Sequence, residues 1–179
     1  QDAQRAIRIV RQNAEQWNID GSQIGVMGFS AGGHLASTLG THYNEDTLKG
    51  INTDPINSVS ARPDFMMLIY PVITFDKKHY HGGSKNALVG KNAKQETVDY
   101  FSNNLQVTAD TPSTFLVHSA DDKAVPVANS ILFYEALVKQ NVPAEMHLYP
   151  EGGHGYSFAI GKGRLQGWTD RLYEWIREL

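Results

Sequence analysis

Short apolar runs that alternate with amphipathic segments predict an α/β fold, a mostly parallel sheet flanked by helices. Three observations carry this expectation. The alternation runs through the chain without any internal repeat or low-complexity tract. Phe65 to Tyr70 (FMMLIY) is apolar at every position, as expected of a strand buried on both faces rather than one. And the residues best suited to chemistry fall just after expected strands: Ser30, the pair Asp121 and Asp122, and His154. In parallel sheets of this kind, sites form outside the carboxyl ends of the strands.

The elements follow in order. Residues 2 to 17 set Ala3, Ala6, Ile7, Val10, Ala14 and Trp17 at three/four spacing, which predicts an amphipathic helix. Asp20-Gly21 marks a turn. A strand is expected from Ile24 to Phe29 and a small-residue helix from Ala31 to Gly40. Residues 41 to 60 are polar and aperiodic, hence loop. Pro71 ends the second strand, Phe65 to Tyr70. Residues 71 to 112 read as an excursion over one end of the sheet, with short helices near 84–89 and 94–101. Segments of that length often bind ligand or act as a cap. Thr114 to Ser119 is a third strand, followed by a helix from Val127 to Gln140 with Ile131, Leu132, Phe133 and Ala136 on its apolar side. Asn141-Val142-Pro143 closes that helix. Ala144 to Tyr149 is a fourth strand, 151–155 a loop, and Arg164 to Leu179 a final helix burying Leu165, Trp168, Leu172, Trp175 and Ile176.

Bulk properties bound the partners. At 179 residues the chain suits one domain with a sizeable core, and 41% apolar with 20% charged residues is ordinary for a globular protein. A net charge of −3 without a basic stripe argues against nucleic acid and anionic membrane. No apolar run approaches the roughly 20 residues that span a bilayer. There is no cysteine, which excludes disulfides, thiolate metal sites and a cysteine nucleophile. The chain opens on Gln1-Asp2-Ala3, so the absence of a leader here decides nothing about secretion.

Gly28-Phe29-Ser30-Ala31-Gly32 is a G-x-S-x-G motif between a strand and a helix, the setting of a nucleophile elbow. The serine must occupy a very tight turn, and Gly28 and Gly32 are expected because a Cβ at either would collide with the adjoining strand or helix. The helix that follows aims its first amides at the reaction site, making the Ala31 amide the first oxyanion-hole donor. A serine nucleophile needs a base, and the base an orienting acid. Ser30, Asp122 and His154 stand in a suitable chain order, with Asp121 as the competing acid.

These segments resemble the α/β-hydrolase superfamily. His118-Ser119-Ala120-Asp121-Asp122-Lys123-Ala124-Val125-Pro126 is similar to its H-G-x-x-D-x-x-V-P signature, with Ser119 in place of glycine. Pro150 to Tyr156 (PEGGHGY) resembles its histidine loop, and Gly28 to Ala36 (GFSAGGHLA) its elbow. In detail the chain is most similar to esterases of the acetylxylan and feruloyl group. The resemblance implies Ser30 as nucleophile, His154 as general base and then acid, and Asp122 as the orienting acid. Asp122 is preferred over Asp121 for its offset from Val125-Pro126. It further implies a cofactor-free hydrolysis of carboxylic esters, an acylated plant-cell-wall sugar as substrate, and a secreted or periplasmic protein. A peptidase or amidase of the same fold and a non-catalytic binding module are the alternatives. Such hydrolases also carry upstream strands and a glycine-rich loop that supplies another oxyanion amide. The chain is therefore expected to be the C-terminal part of a longer hydrolase, its N-terminal strands absent, with the elbow strand at an edge and the missing part as its partner.

Other residues carry weaker readings. His34 and His118 are expected to be hydrogen-bonded structural residues. His79 and His81 form H-x-H, a possible metal grip that lacks accompanying carboxylates and reads better as solvated loop, so no metal site is assigned. Tyr70, Tyr156 and Phe158 are candidates for a substrate pocket or ordinary half-buried aromatics.

Overall fold

The computed structural model describes residues 1–45 and 54–179. The helices are α1 (Asp2–Gln12), α2 (Ala31–Thr41), α3 (Gly82–Leu88), α4 (Gln95–Tyr100), α5 (Ala128–Lys139) and α6 (Trp168–Arg177). The strands are β1 (Gly25–Phe29), β2 (Phe65–Ile69), β3 (Ser113–Ser119) and β4 (Ala144–Tyr149). Together they form one parallel sheet in the order β1-β2-β3-β4. Register runs Phe29 beside Ile69, Ile69 beside Val117, and His118 beside Leu148, so the carboxyl ends of the strands finish at one level.

The apolar run of β2 has its explanation in the two faces of the sheet. Met67 and Ile69 join Phe115 and Val117 in a cluster with Leu165, Trp168 and Leu172. Their neighbours Met66 and Leu68 join Leu116 on the opposite face, against Ala36, Phe133 and Leu137. Successive side chains point to opposite faces, and both faces here are covered by helix. α6 thus covers one side, and α2 with α5 the other. β1 is an edge strand, partly buried, with Ile24 and Leu39 packed on Ile7 of α1.

Several expected boundaries and faces differ. α1 stops at Gln12 instead of reaching Trp17, which is 50% exposed. The Asn13 side chain bonds back to the Ile9 carbonyl, and Arg11 is locked to the Gly21, Ser60 and Arg62 carbonyls and the Asp64 carboxylate. In the expected loop at 41–60, residues 46–53 lie outside the described residues, and Pro55–Ser58 forms a 3-10 turn capped by Asp54. On α5 the buried residues are Asn129, Ser130, Phe133 and Leu137, whereas Ile131, Leu132 and Ala136 are only partly buried. Asn129 explains the rotation. Its side-chain oxygen accepts from the Ile73 and Thr74 amides and its nitrogen donates to the His79 and Pro126 carbonyls, four bonds that need its amide inside. The last helix begins as a 3-10 turn, Gly163–Gly167, and Ile176 is 39% exposed rather than buried.

Residues after β2 enter the interior before forming α3 and α4. Val72 and Phe75 pack with Val98 and Val125, and Asn103 bonds to the His34 carbonyl and to Ser37 and Thr38 of α2.

Candidate active site

The elbow is set by close backbone approach. Ser30 has φ 53° and ψ −120°, outside the usual regions for a residue with a side chain. Its amide donates to the Ile69 carbonyl at 3.0 Å, and its carbonyl accepts from Val72 at 3.0 Å and Gly33 at 3.0 Å. The strained residue is therefore clamped between β2 and the first turn of α2. A Cβ on Gly28 would lie 2.2 Å from the Gly32 carbonyl oxygen. The expectation of a similar collision at Gly32 is corrected: a Cβ there meets nothing within 4 Å. The second tight position is Gly33, where a Cβ would lie 2.5 Å from Cβ of Pro71. The backbone of Gly32 crowds Gly28; its own missing side chain relieves nothing.

Ser30, His154 and Asp122 meet above the strand ends. Ser30 Oγ is 2.7 Å from His154 Nε2, and His154 Nδ1 is 2.6 Å from Asp122 Oδ2. Because Nδ1 faces a carboxylate, it carries the proton, and Nε2 presents its lone pair to the serine hydroxyl. The Asp122 side chain is fully buried, while that of His154 is 25% exposed. Burial alone would push the Asp122 carboxyl up. Hydrogen bonds from His118, His154 and the Val125 and Ala124 amides outweigh that and hold it down, from the ordinary 3.8 to about 2. A buried carboxylate with this many donors stays ionised.

Asp121 takes a different position. It is exposed, and its carboxylate accepts from the Gly153 amide at 2.8 Å, one residue before His154, which lowers its proton affinity. Ala31 is the exposed first residue of α2, where helix geometry leaves the amide without an intrahelical partner. Tyr70, at φ 39°, and Tyr156 are each only 4% exposed. The Tyr70 ring lies 4.9 Å from that of His154 and 4.5 Å from that of Tyr156, and its hydroxyl accepts from the Ser157 amide at 3.0 Å. Phe158 is 48% exposed and packs on Phe29 and Trp168.

The remaining histidines have separate partners. His34 is buried, stacks on Phe75 and bonds to the Phe101 carbonyl; burial lowers its proton affinity. His79 bonds to Asp76, and His81 caps α3 through Ser84, so the two rings of the H-x-H pair do not converge. A largely apolar cavity of about 600 Å³ lies between α2 and α3, lined by Ala31, His34, Leu35, Phe75, Leu88 and Phe101 among others. It shares Ala31 with the elbow but includes neither Ser30 nor His154.

Some partners of the site were not legible beforehand. His118 reaches Asp122, Ser130 reaches His118, and the Tyr70 hydroxyl reaches the histidine loop. A signal for the first existed, since His118 opens the signature segment that contains Asp122. For the Tyr70–Ser157 bond, 87 residues apart, there was none.

Comparison with known proteins agrees with this architecture. The family model BD-FAE matches residues 1–137. The chain is 38% identical over 173 residues to endo-1,4-beta-xylanase B of Butyrivibrio fibrisolvens, covering 97% of this chain and 26% of that protein. It is 33% identical to an acetylxylan esterase of Xylanibacter ruminicola, covering 99% of this chain and 35% of the other. The chain thus spans about a quarter to a third of the length of these curated relatives. Among solved structures, an acetyl ester-xyloside bifunctional hydrolase from Caldicellulosiruptor lactoaceticus superposes with a TM-score of 0.92 at 46% identity, over 99% of this chain and 64% of that one. The sheet, the elbow and these matches together make the chain a member of the BD-FAE family with the α/β-hydrolase fold.

Proposed function

We propose that this chain carries the catalytic groups of a serine esterase that deacylates plant-cell-wall polysaccharide such as xylan. The observation that carries the reading is the continuous relay from Ser30 Oγ to His154 Nε2 at 2.7 Å and from His154 Nδ1 to Asp122 at 2.6 Å. Ser30 Oγ attacks the ester carbonyl carbon while its proton passes to His154 Nε2. Negative charge develops on the carbonyl oxygen, next to the Ala31 amide at the start of α2. His154 then gives its proton to the leaving sugar oxygen, leaving an acyl-serine. Water, deprotonated by the same imidazole, hydrolyses that intermediate and restores the serine. Throughout, Asp122 holds the ring in the Nδ1–H tautomer and stabilises its cationic form. No step calls for a cofactor.

The acylated-sugar substrate is supported by what the relatives are called: an acetylxylan esterase, a xylanase, and a hydrolase of acetyl esters and xylosides. Tyr70 and Tyr156 form the wall behind His154 in this reading. In this reading residues 71–112, which carry α3 and α4, form the binding excursion on the substrate side of the elbow. The complete natural protein should release acetate from acetylated xylan and cleave p-nitrophenyl acetate, and should leave a dipeptide amide intact. Ser30→Ala should lower ester turnover by about 10⁴-fold or more. Full activity of that variant would end the proposal, and preference for the amide would favour a peptidase.

A further inference from the structure

His118 is the sixth of the seven residues of β3 and has no exposed surface. Its Nε2 lies 3.2 Å from Asp122 Oδ2 and 3.0 Å from the Val125 carbonyl oxygen. Both partners are acceptors, because the Asp122 carboxyl stays ionised far below neutral pH. A ring nitrogen facing two acceptors must carry hydrogen. The other nitrogen, Nδ1, is 2.8 Å from Ser130 Oγ, whose hydroxyl can donate to it. Every polar atom of this sealed ring is then satisfied with the ring neutral.

The carboxylate is therefore held asymmetrically. Oδ1 accepts from two backbone amides, Ala124 and Val125, both at 2.9 Å. Oδ2, the oxygen that faces His154, accepts from two imidazoles, His154 at 2.6 Å and His118 at 3.2 Å. Only His118 belongs to the sheet; His154 stands on a loop. We propose that His118 is a positioning residue for the reaction: a fixed, neutral Nε2–H imidazole that anchors Asp122 Oδ2, with Ser130 setting its tautomer. It touches no substrate and transfers no proton. Its work is to keep Oδ2 in place while His154 gains and loses its charge during turnover, so that Nε2 stays aimed at Ser30. The inference rests on the esterase reading above.

Two measurements on the complete protein test it. Nitrogen NMR of histidine-labelled wild type at neutral pH should show the His118 ring neutral, with its proton on Nε2 and Nδ1 bare. Steady-state rates on p-nitrophenyl acetate, normalised to the serines labelled by a fluorophosphonate, should show His118→Leu reduced roughly tenfold in kcat with KM unchanged. His118→Gln can present an amide N–H to Oδ2 and a carbonyl to Ser130, and should recover to within about threefold of wild type. A His118→Leu rate within about twofold of wild type, a Gln variant no better than Leu, or a proton found on Nδ1 would each overturn the proposal. If the Leu variant does not fold, the Gln rate and the wild-type spectrum decide. A wild type that cleaves no ester would refute the esterase reading instead, and the spectrum would still test the hydrogen-bond assignment of His118.

Discussion

The elbow and the histidine loop bring Ser30 and His154 to one point by different means. At the elbow, Ser30 is set by the close approach of Gly28 to the Gly32 carbonyl within a span of six residues, and its backbone is tied further to Ile69, Val72 and Gly33. The histidine loop is closed differently: its short backbone turns, Ala159 on Tyr156 and Lys162 on Ala159, lie beyond His154, and Tyr156 and Ala159 are buried in the core. It carries Gly153, Gly155, Ser157 and Ala159 at positive φ, and the two with side chains each cost about 1 kcal/mol. Around His154 itself the loop is held by side chains from distant strand ends: Asp121 on Gly153, Asp122 on His154, and Tyr70 on Ser157. The proposed nucleophile sits in a strained turn and is secured by backbone sterics. The proposed base is aimed by side-chain hydrogen bonds from Asp121, Asp122 and Tyr70 to its own loop.

Breaking the relay should have the largest effect. Beyond Ser30→Ala, Asp122→Asn should cost about 10⁴-fold in kcat with little change in fold, because an amide can present N–H where Nδ1–H needs an acceptor. A pre-steady-state burst with p-nitrophenyl acetate would be the check, and a retained burst would contradict the role of Asp122. Gly28→Ala probes the elbow through stability. The added methyl has only backbone to meet, at 2.2 Å, and should cost about 3 kcal/mol or more in a urea midpoint measurement. Tyr70→Phe keeps the ring against His154 and removes only the hydroxyl that takes the Ser157 amide. It should lower kcat by about threefold and raise hydrogen exchange at Ser157, whose amide loses its acceptor. Gly32→Ala sits at the other extreme. With open space around its Cβ, it should change stability by less than about 0.5 kcal/mol, and a larger loss would mean that the motif's last glycine is needed in place.

Acid titration sharpens the same contrast. The Asp122 carboxyl is held at about 2 in the folded chain against an ordinary 3.8. A depressed carboxyl contributes stability that is present above about 3.8 and is lost as pH falls through about 2. The wild-type unfolding curve should steepen within that window, and Asp122→Asn should flatten it there, because the amide has no charge to lose. Circular dichroism across an acid titration of both proteins would show the difference.

Legibility followed the range of the interactions. The strands β2 and β3 were readable because both faces are buried, so every residue from Met66 to Ile69 had to be apolar. The elbow was readable because its constraint spans six residues. The polar face of α5 was not, since Asn129 is inside only to satisfy amides of Ile73 and Thr74, more than fifty residues earlier. Nor was the end of α1, where Arg11 is claimed by carbonyls and a carboxylate from beyond the helix.

The sequence by itself determined the fold class, the strand-to-helix elbow at Ser30, and the candidates Asp122 and His154, because apolar periodicity and tight turns are local properties of the chain. Only the tertiary structure decided how those side chains are held: which acidic residue faces His154 and which holds its loop, that His118 shares Oδ2 with His154, and that Gly33 rather than Gly32 is the elbow's second crowded glycine. Those outcomes depend on where strand ends from residues 29, 69, 119 and 149 arrive relative to one another. That relation is fixed by the register of the sheet, and no spacing along the chain contains it.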